Sequence, residues 1–126
     1  MPWLAVAAGG ALGAIARYAM AGAVQRLTGA GTFPWGTLAV NVLGALLMGI
    51  IVEASARFWT LSGDLRLFLT TGVLGGFTTF SAFSLETALM MEKGDWGVAI
   101  AYIAASVALT VLFLFCGMWA IRSLAG

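Results

Sequence analysis

The chain has no histidine, a single cysteine and few charges: of 126 residues, six are Lys or Arg and five are Asp or Glu. Without histidine, Cys/His metal clusters and His-based catalytic triads are excluded. A Ser–Lys pair would have to recruit Lys93, which falls in a polar break between apolar runs. Cys116 has no second cysteine in the chain to pair with, so it says nothing of redox compartment and reads as a small apolar helix residue. A formal charge of +1 gives no electrostatic footprint for nucleic acid. No basic residue precedes the apolar run that begins at Trp3, and its only cation, Arg17, comes late, so no cleavable signal peptide is expected.

What the chain does contain is apolar side chain, 62% of all residues, with a mean hydropathy of +1.04. A soluble fold this small cannot hide so much apolar surface, so lipid must be the solvent for much of it. Four runs are long enough to cross a bilayer as helix: about Trp3 to Val24, Trp35 to Ser55, Leu67 to Met91 and Trp96 to Ile121. The breaks between them are "QRLTGAGTFP", "ARFWTLSGDLR" and "EKGD". Trp3, Trp35, Trp59, Trp96 and Trp119 fall near the span ends, where interfacial anchors belong. The expected fold is all-α, one four-helix membrane domain over residues 1–126.

Orientation follows the Lys and Arg count on the two sides of the membrane. With four spans, Arg57, Arg66 and Arg122 share one side; Arg26 and Lys93 share the other, joined by Arg17 if it snorkels that way. The bias is close to nil. Such a chain either inserts both ways up, so that opposed copies can pair about an axis in the membrane plane, or is held in one orientation by a weak bias.

The third run carries "TGVLGGFTTFSAFS" at 71–84, with three glycines, five hydroxyl residues and three phenylalanines. Gly72, Gly75 and Gly76 weaken the helix, and the β-branched Thr78 and Thr79 follow at once. A break at Gly75–Thr79 is expected, with freed carbonyls that line a polar site or hold a cation. The alternative is that the glycines serve close helix packing. If helix resumes near Thr79, Glu86, Phe83, Phe80, Ser84 and Ser81 fan around it in that angular order. Ring hydrogens of Phe80 and Phe83 and the serine hydroxyls could then meet a small anion, or the rings could be ordinary packing.

Other polar residues follow the same pattern. Thr37, Asn41, Gly44 and Met48 share a face of the second run, where Asn41 could donate to an anion or hold helices together. Tyr102, Ser106 and Thr110 form a hydroxyl track in the fourth; the serine and threonine could instead bond back to carbonyls one turn earlier. Gly9 and Gly13 make a GxxxG packing face. Arg17 and Glu86 are intramembrane charges, candidates for a pore vestibule. Glu53 and Arg57 read as a surface pair at a helix end.

Taken together, "GGALGAIARY" at 9–18, "WGTLAVNVLGALLMG" at 35–49 and "TGVLGGFTTFSAFSLET" at 71–87 closely resemble the bacterial fluoride channel family, called Fluc or CrcB. The resemblance covers nearly the whole chain. It implies an antiparallel, dual-topology homodimer in the bacterial inner membrane, with two pores that export fluoride passively. It also implies one structural sodium ion on the dimer axis, held by the carbonyls of Gly75 and Thr78. Phe80 and Phe83 match the family's fluoride-contacting rings and Asn41 its pore asparagine. Ser81 and Ser84 sit in the motif that supplies pore hydroxyls, and Tyr102, Ser106 and Thr110 match its polar track. Glu86 and Arg17 match characteristic positions. The rival from another class is a proton-coupled antiporter resembling small multidrug exporters. Those are built around a glutamate in the first span, where this chain has Arg17 and no acid.

Overall fold

A computed structural model describes residues 1–29, 31, 33–58 and 60–125, the last without its side chain. Helix α1 spans Pro2–Leu27, with proline in its first turn, where the missing N–H has no intrahelical partner in any case. It stops at Thr28, and Gly29 turns the chain at φ 89°, a left-handed conformation that favours glycine. Helix α2 spans Trp35–Arg57. The third membrane-length segment, Gly63–Glu92, is not one helix. It is built from α3 (Gly63–Leu67), a π-helical stretch π1 (Phe68–Leu74), α4 (Gly75–Phe77) and α5 (Phe80–Glu92). Helix α6 spans Trp96–Ala125.

Four segments are thus long and apolar enough to cross a membrane, at the positions expected and a few residues longer at most ends. Trp3, Trp35, Trp96 and Trp119 are exposed near those ends; Trp59 lies outside the described residues.

The break is narrower than expected. Gly75 and Gly76 are still helical, and only Thr78 and Thr79 are extended, at φ/ψ of −89°/157° and −150°/116°. Both threonines close the cut with their own hydroxyls. Thr78 Oγ1 donates to the Leu74 carbonyl at 3.0 Å, and Thr79 Oγ1 accepts from the Ala82 N–H at 3.0 Å as the N-cap of α5. Gly72 and Gly76, but not the exposed Gly75, serve the other expected purpose. A Cβ at Gly72 or Gly76 would strike the backbone of α1 at Gly9 or Gly10, and one at Gly13 would strike the Val73 carbonyl. Break and close packing are both present, in adjacent residues. The π stretch was not foreseen; in it Thr70 Oγ1 donates to the Arg66 carbonyl at 2.7 Å.

Helices α2 and α6 meet by the same device, with Gly49 under the Leu114 carbonyl and Gly117 under the Leu46 carbonyl. Beyond them Glu53 corrects the surface-pair reading. Its carboxylate is buried and accepts from Arg57 at 2.6 Å and from Arg122 at 3.1 Å, so it ties α2 to α6. The core, Leu38, Phe83, Met90, Ala99 and Tyr102, lies where α2, α5 and α6 converge.

Candidate functional site

The site grows from the cut at Thr78–Thr79. Asn41, projecting from α2, binds the exposed backbone on both sides: its Nδ2 donates to the Thr79 carbonyl at 3.1 Å, and its Oδ1 accepts the Thr79 N–H at 2.7 Å. A primary amide carries one acceptor and two donor hydrogens, so Asn41 replaces a strand-like backbone partner and keeps one hydrogen free. One turn on, the bare surface of Gly44 admits the Thr78 methyl group, and no larger residue would let α2 come so near. From α1, Arg17 Nε donates to the Gly76 carbonyl at 3.1 Å, at the negative end of the first half-helix. Arg17 therefore reaches inward to the break instead of snorkelling to an interface. The carbonyls of Gly75, Phe77 and Thr78 receive no hydrogen bond from the described residues.

Beside the break lies a cavity of about 280 Å³ that brings together Asn41, Thr78, Thr79, Phe80, Phe83, Ser106, Val107 and Thr110. The rings of Phe80 and Phe83 stand 5.4 Å apart at 46°, with Phe80 77% exposed and Phe83 buried. Helix α6 supplies the opposite wall. Thr110 Oγ1 bonds back to the Ser106 carbonyl at 2.6 Å, as a solitary helical threonine does. Ser106 does not: its Oγ is buried in the cavity's α6 wall and has no partner among the described residues. The two halves of the track thus behave differently.

Tyr102 begins the track one turn earlier. Its ring is fully buried, 5.0 Å from that of Phe83 and edge-on to Phe33 at 5.4 Å. Its hydroxyl donates to Glu86 Oε1 at 3.1 Å, and Thr37 donates to Glu86 Oε2 at 3.0 Å. A second cavity, of about 430 Å³, opens on the far side of this carboxylate towards Gln25, Lys93 and Asp95. Ser81 and Ser84 are exposed; Ser81 shares a hydrogen bond of 3.2 Å with Thr79 Oγ1, and Ser84 stays outside both cavities.

Three contacts had no signal of their own in the sequence. The Thr37–Glu86–Tyr102 cluster joins three helices, though Thr37 does lie on the Asn41 face at helical spacing. Gln25 gathers the turn into α2, donating to the Phe33 carbonyl at 3.1 Å while its Oε1 accepts the Gly36 N–H at 3.1 Å. Arg122 on Glu53 is the third.

Four membrane-length helices, the third cut in the middle beside a cavity lined by amide, hydroxyl and aromatic side chains, define a small multi-pass membrane protein. The chain belongs to the family described as CrcB-like protein, Camphor Resistance (CrcB), whose profile matches residues 4–118. It is 52% identical over 119 residues to the "Fluoride-specific ion channel FluC" of Chelativorans sp. (strain BNC1), covering 94% of each chain. The protein of that name in Geobacter sulfurreducens is 52% identical over 121 residues, 96% of this chain and 97% of its own. The "Fluoride-specific ion channel FluC 1" of Nitrobacter hamburgensis is 46% identical over 127 residues, 98% of this chain and all of its own. These relatives carry the name of a channel, not of an enzyme.

Proposed function

We propose that this chain is a passive, fluoride-selective channel that lets fluoride leave the cytoplasm through the bacterial inner membrane. The observation that carries the reading is the unpartnered Ser106 hydroxyl, buried in the wall of a cavity it shares with Asn41, Phe80 and Phe83. A buried donor without an acceptor costs free energy unless something else accepts from it. Fluoride, which is small and tightly hydrated, crosses a membrane only if donors of comparable strength replace its water. Here those donors are a hydroxyl, the spare amide hydrogen of Asn41 and the positive ring edges of two phenylalanines. None carries a full charge, so the ion is not trapped.

The complete channel is an antiparallel homodimer with two pores. In hydrocarbon, polar groups need partners within protein. Phe80, Ser81, Ser84 and Gly75 all lie exposed on the single chain, on the cut third segment, and a second copy would cover them. The same surface suits a sodium ion on the dimer axis. The carbonyls of Gly75 and Thr78 are hard oxygen donors left free at the negative end of a half-helix, as such a cation requires. A bound sodium ion would supply positive charge against those dipoles and stabilise the folded pair. Asn41, Thr78 and Thr79 hold the cut open, Phe80 and Phe83 present ring edges, and Ser106 hands the anion along α6, past Thr110.

The test is fluoride efflux from liposomes, followed with a fluoride electrode and with chloride as control. Rapid fluoride loss once a potassium ionophore balances charge, with chloride retained, supports the channel. Flux that needs a proton gradient and no charge balance would point instead to coupled exchange. Phe80→Ile should cut flux roughly tenfold or more, the effect of about 1.4 kcal/mol on a barrier, and Val111→Ile should not. Equal effects at both positions would remove Phe80 from the path.

A further inference from the structure

The two cavities are separated by one turn of the same three helices. Asn41 on α2, Phe83 on α5 and Ser106 on α6 line the first. One turn away on the same helices stand Thr37, Glu86 and Tyr102, of which Thr37 and Glu86 line the second cavity. Each hydroxyl of this layer has a single hydrogen, and both hydrogens are directed at the two oxygens of one carboxylate, at 3.0 and 3.1 Å. One layer therefore leaves its hydroxyl donor unengaged, and the next has both engaged by a negative charge from the protein itself.

We propose that Glu86 is a tethered anion. Thr37 and Tyr102 form a two-hydroxyl site for a small hard anion; the Glu86 carboxylate fills it at rest, and an anion passing between the cavities takes the site only when the carboxylate leaves. The proposal rests on the channel reading. Which member moves follows from packing. Tyr102 is fully buried and bracketed by Phe33 and Phe83, and Thr37 is a short side chain on a buried helix face. Glu86 is half-buried on a long, flexible side chain, with about 430 Å³ of cavity on its own side to turn into. Lys93 and Asp95 line that cavity, and Lys93 offers the displaced carboxylate a counter-charge. A tethered competitor acts at a high local concentration, so it raises the fluoride concentration needed for conduction without any change in the donors.

The experiment measures fluoride flux against fluoride concentration in liposomes, for the wild-type protein and Glu86→Gln side by side. Glutamine keeps the shape but loses the charge and one acceptor oxygen, so half-saturating fluoride should fall by roughly threefold or more. Glu86→Asp, too short to reach both hydroxyls, should shift it the same way and serves if the glutamine variant does not fold. Half-saturation that stays put or rises in a folded variant overturns the proposal. So does failure of both variants to fold, because a side chain that leaves at each passage is not a condition of folding. If wild-type protein conducts fluoride while these shifts are missing, the tethered anion fails alone; if wild-type protein conducts none, the channel reading fails and takes this one with it.

Discussion

The third segment is two different structures joined at Thr78–Thr79. Before the cut, π1 and α4 pack backbone to backbone on α1, glycine against carbonyl on both sides, with side-chain polarity from the neighbouring helix limited to Arg17. After the cut, α5 is held by polar side chains and rings: Asn41 at its start, then Phe83 on Tyr102, then Glu86 between Thr37 and Tyr102. Against α1 the first half tolerates no added atoms at Gly72 or Gly76. The second leaves Phe80, Ser81 and Ser84 exposed and borders both cavities. Rigid positioning and adaptable binding are thus placed on successive half-helices, with the cut as the border.

The contrast is broken most severely from the α1 side. Gly13→Leu drives a side chain into the Val73 backbone, and we expect no monodisperse protein on size-exclusion chromatography. Asn41→Leu strikes the border itself. It strands the Thr79 N–H and carbonyl, so thermal unfolding in detergent should register a loss of about 2–3 kcal/mol, two hydrogen bonds at roughly 1–1.5 kcal/mol each. Ser106→Ala removes a hydroxyl that bonds to none of the described residues. Stability should stay within about 0.5 kcal/mol while fluoride flux falls roughly tenfold, which separates a site residue from a scaffold residue. Thr110→Val should change least, because its hydroxyl already bonds to its own helix; a flux loss equal to that of Ser106→Ala would erase the distinction between them.

How far this division was legible varies along the chain. Four spans follow from apolar runs whose lengths match the bilayer, and nothing later in the fold competes with that signal. The position of the cut was legible to within a few residues, but not its cause. Glycine and threonine pairs both weaken a helix, and only the approach of α1 shows that Gly76 of the glycine pair is used for contact. The π stretch, FLTTGVL, was not read from its residues, because π turns are rare and the same residue types occur in the α-helices around it. Ser106 and Thr110 are both hydroxyl residues at helical spacing and line one cavity, and they differ in that Thr110 bonds back to its own helix while Ser106 does not, which spacing alone does not show. The Thr37–Glu86–Tyr102 cluster needed three helices in register, which no local pattern encodes.

The Glu53 cluster has a consequence for how the chain is threaded into a bilayer. Arg57 lies one turn from Glu53 on the same helix and can meet it as soon as α2 forms. Arg122 sits near the end of α6, so it reaches Glu53 only when the last helix docks on α2. During insertion, then, Arg122 still counts as a free positive charge among the signals that orient the final span. Once the helices meet, that charge is pinned by its partner. The same residue serves first as an address label and then as a latch.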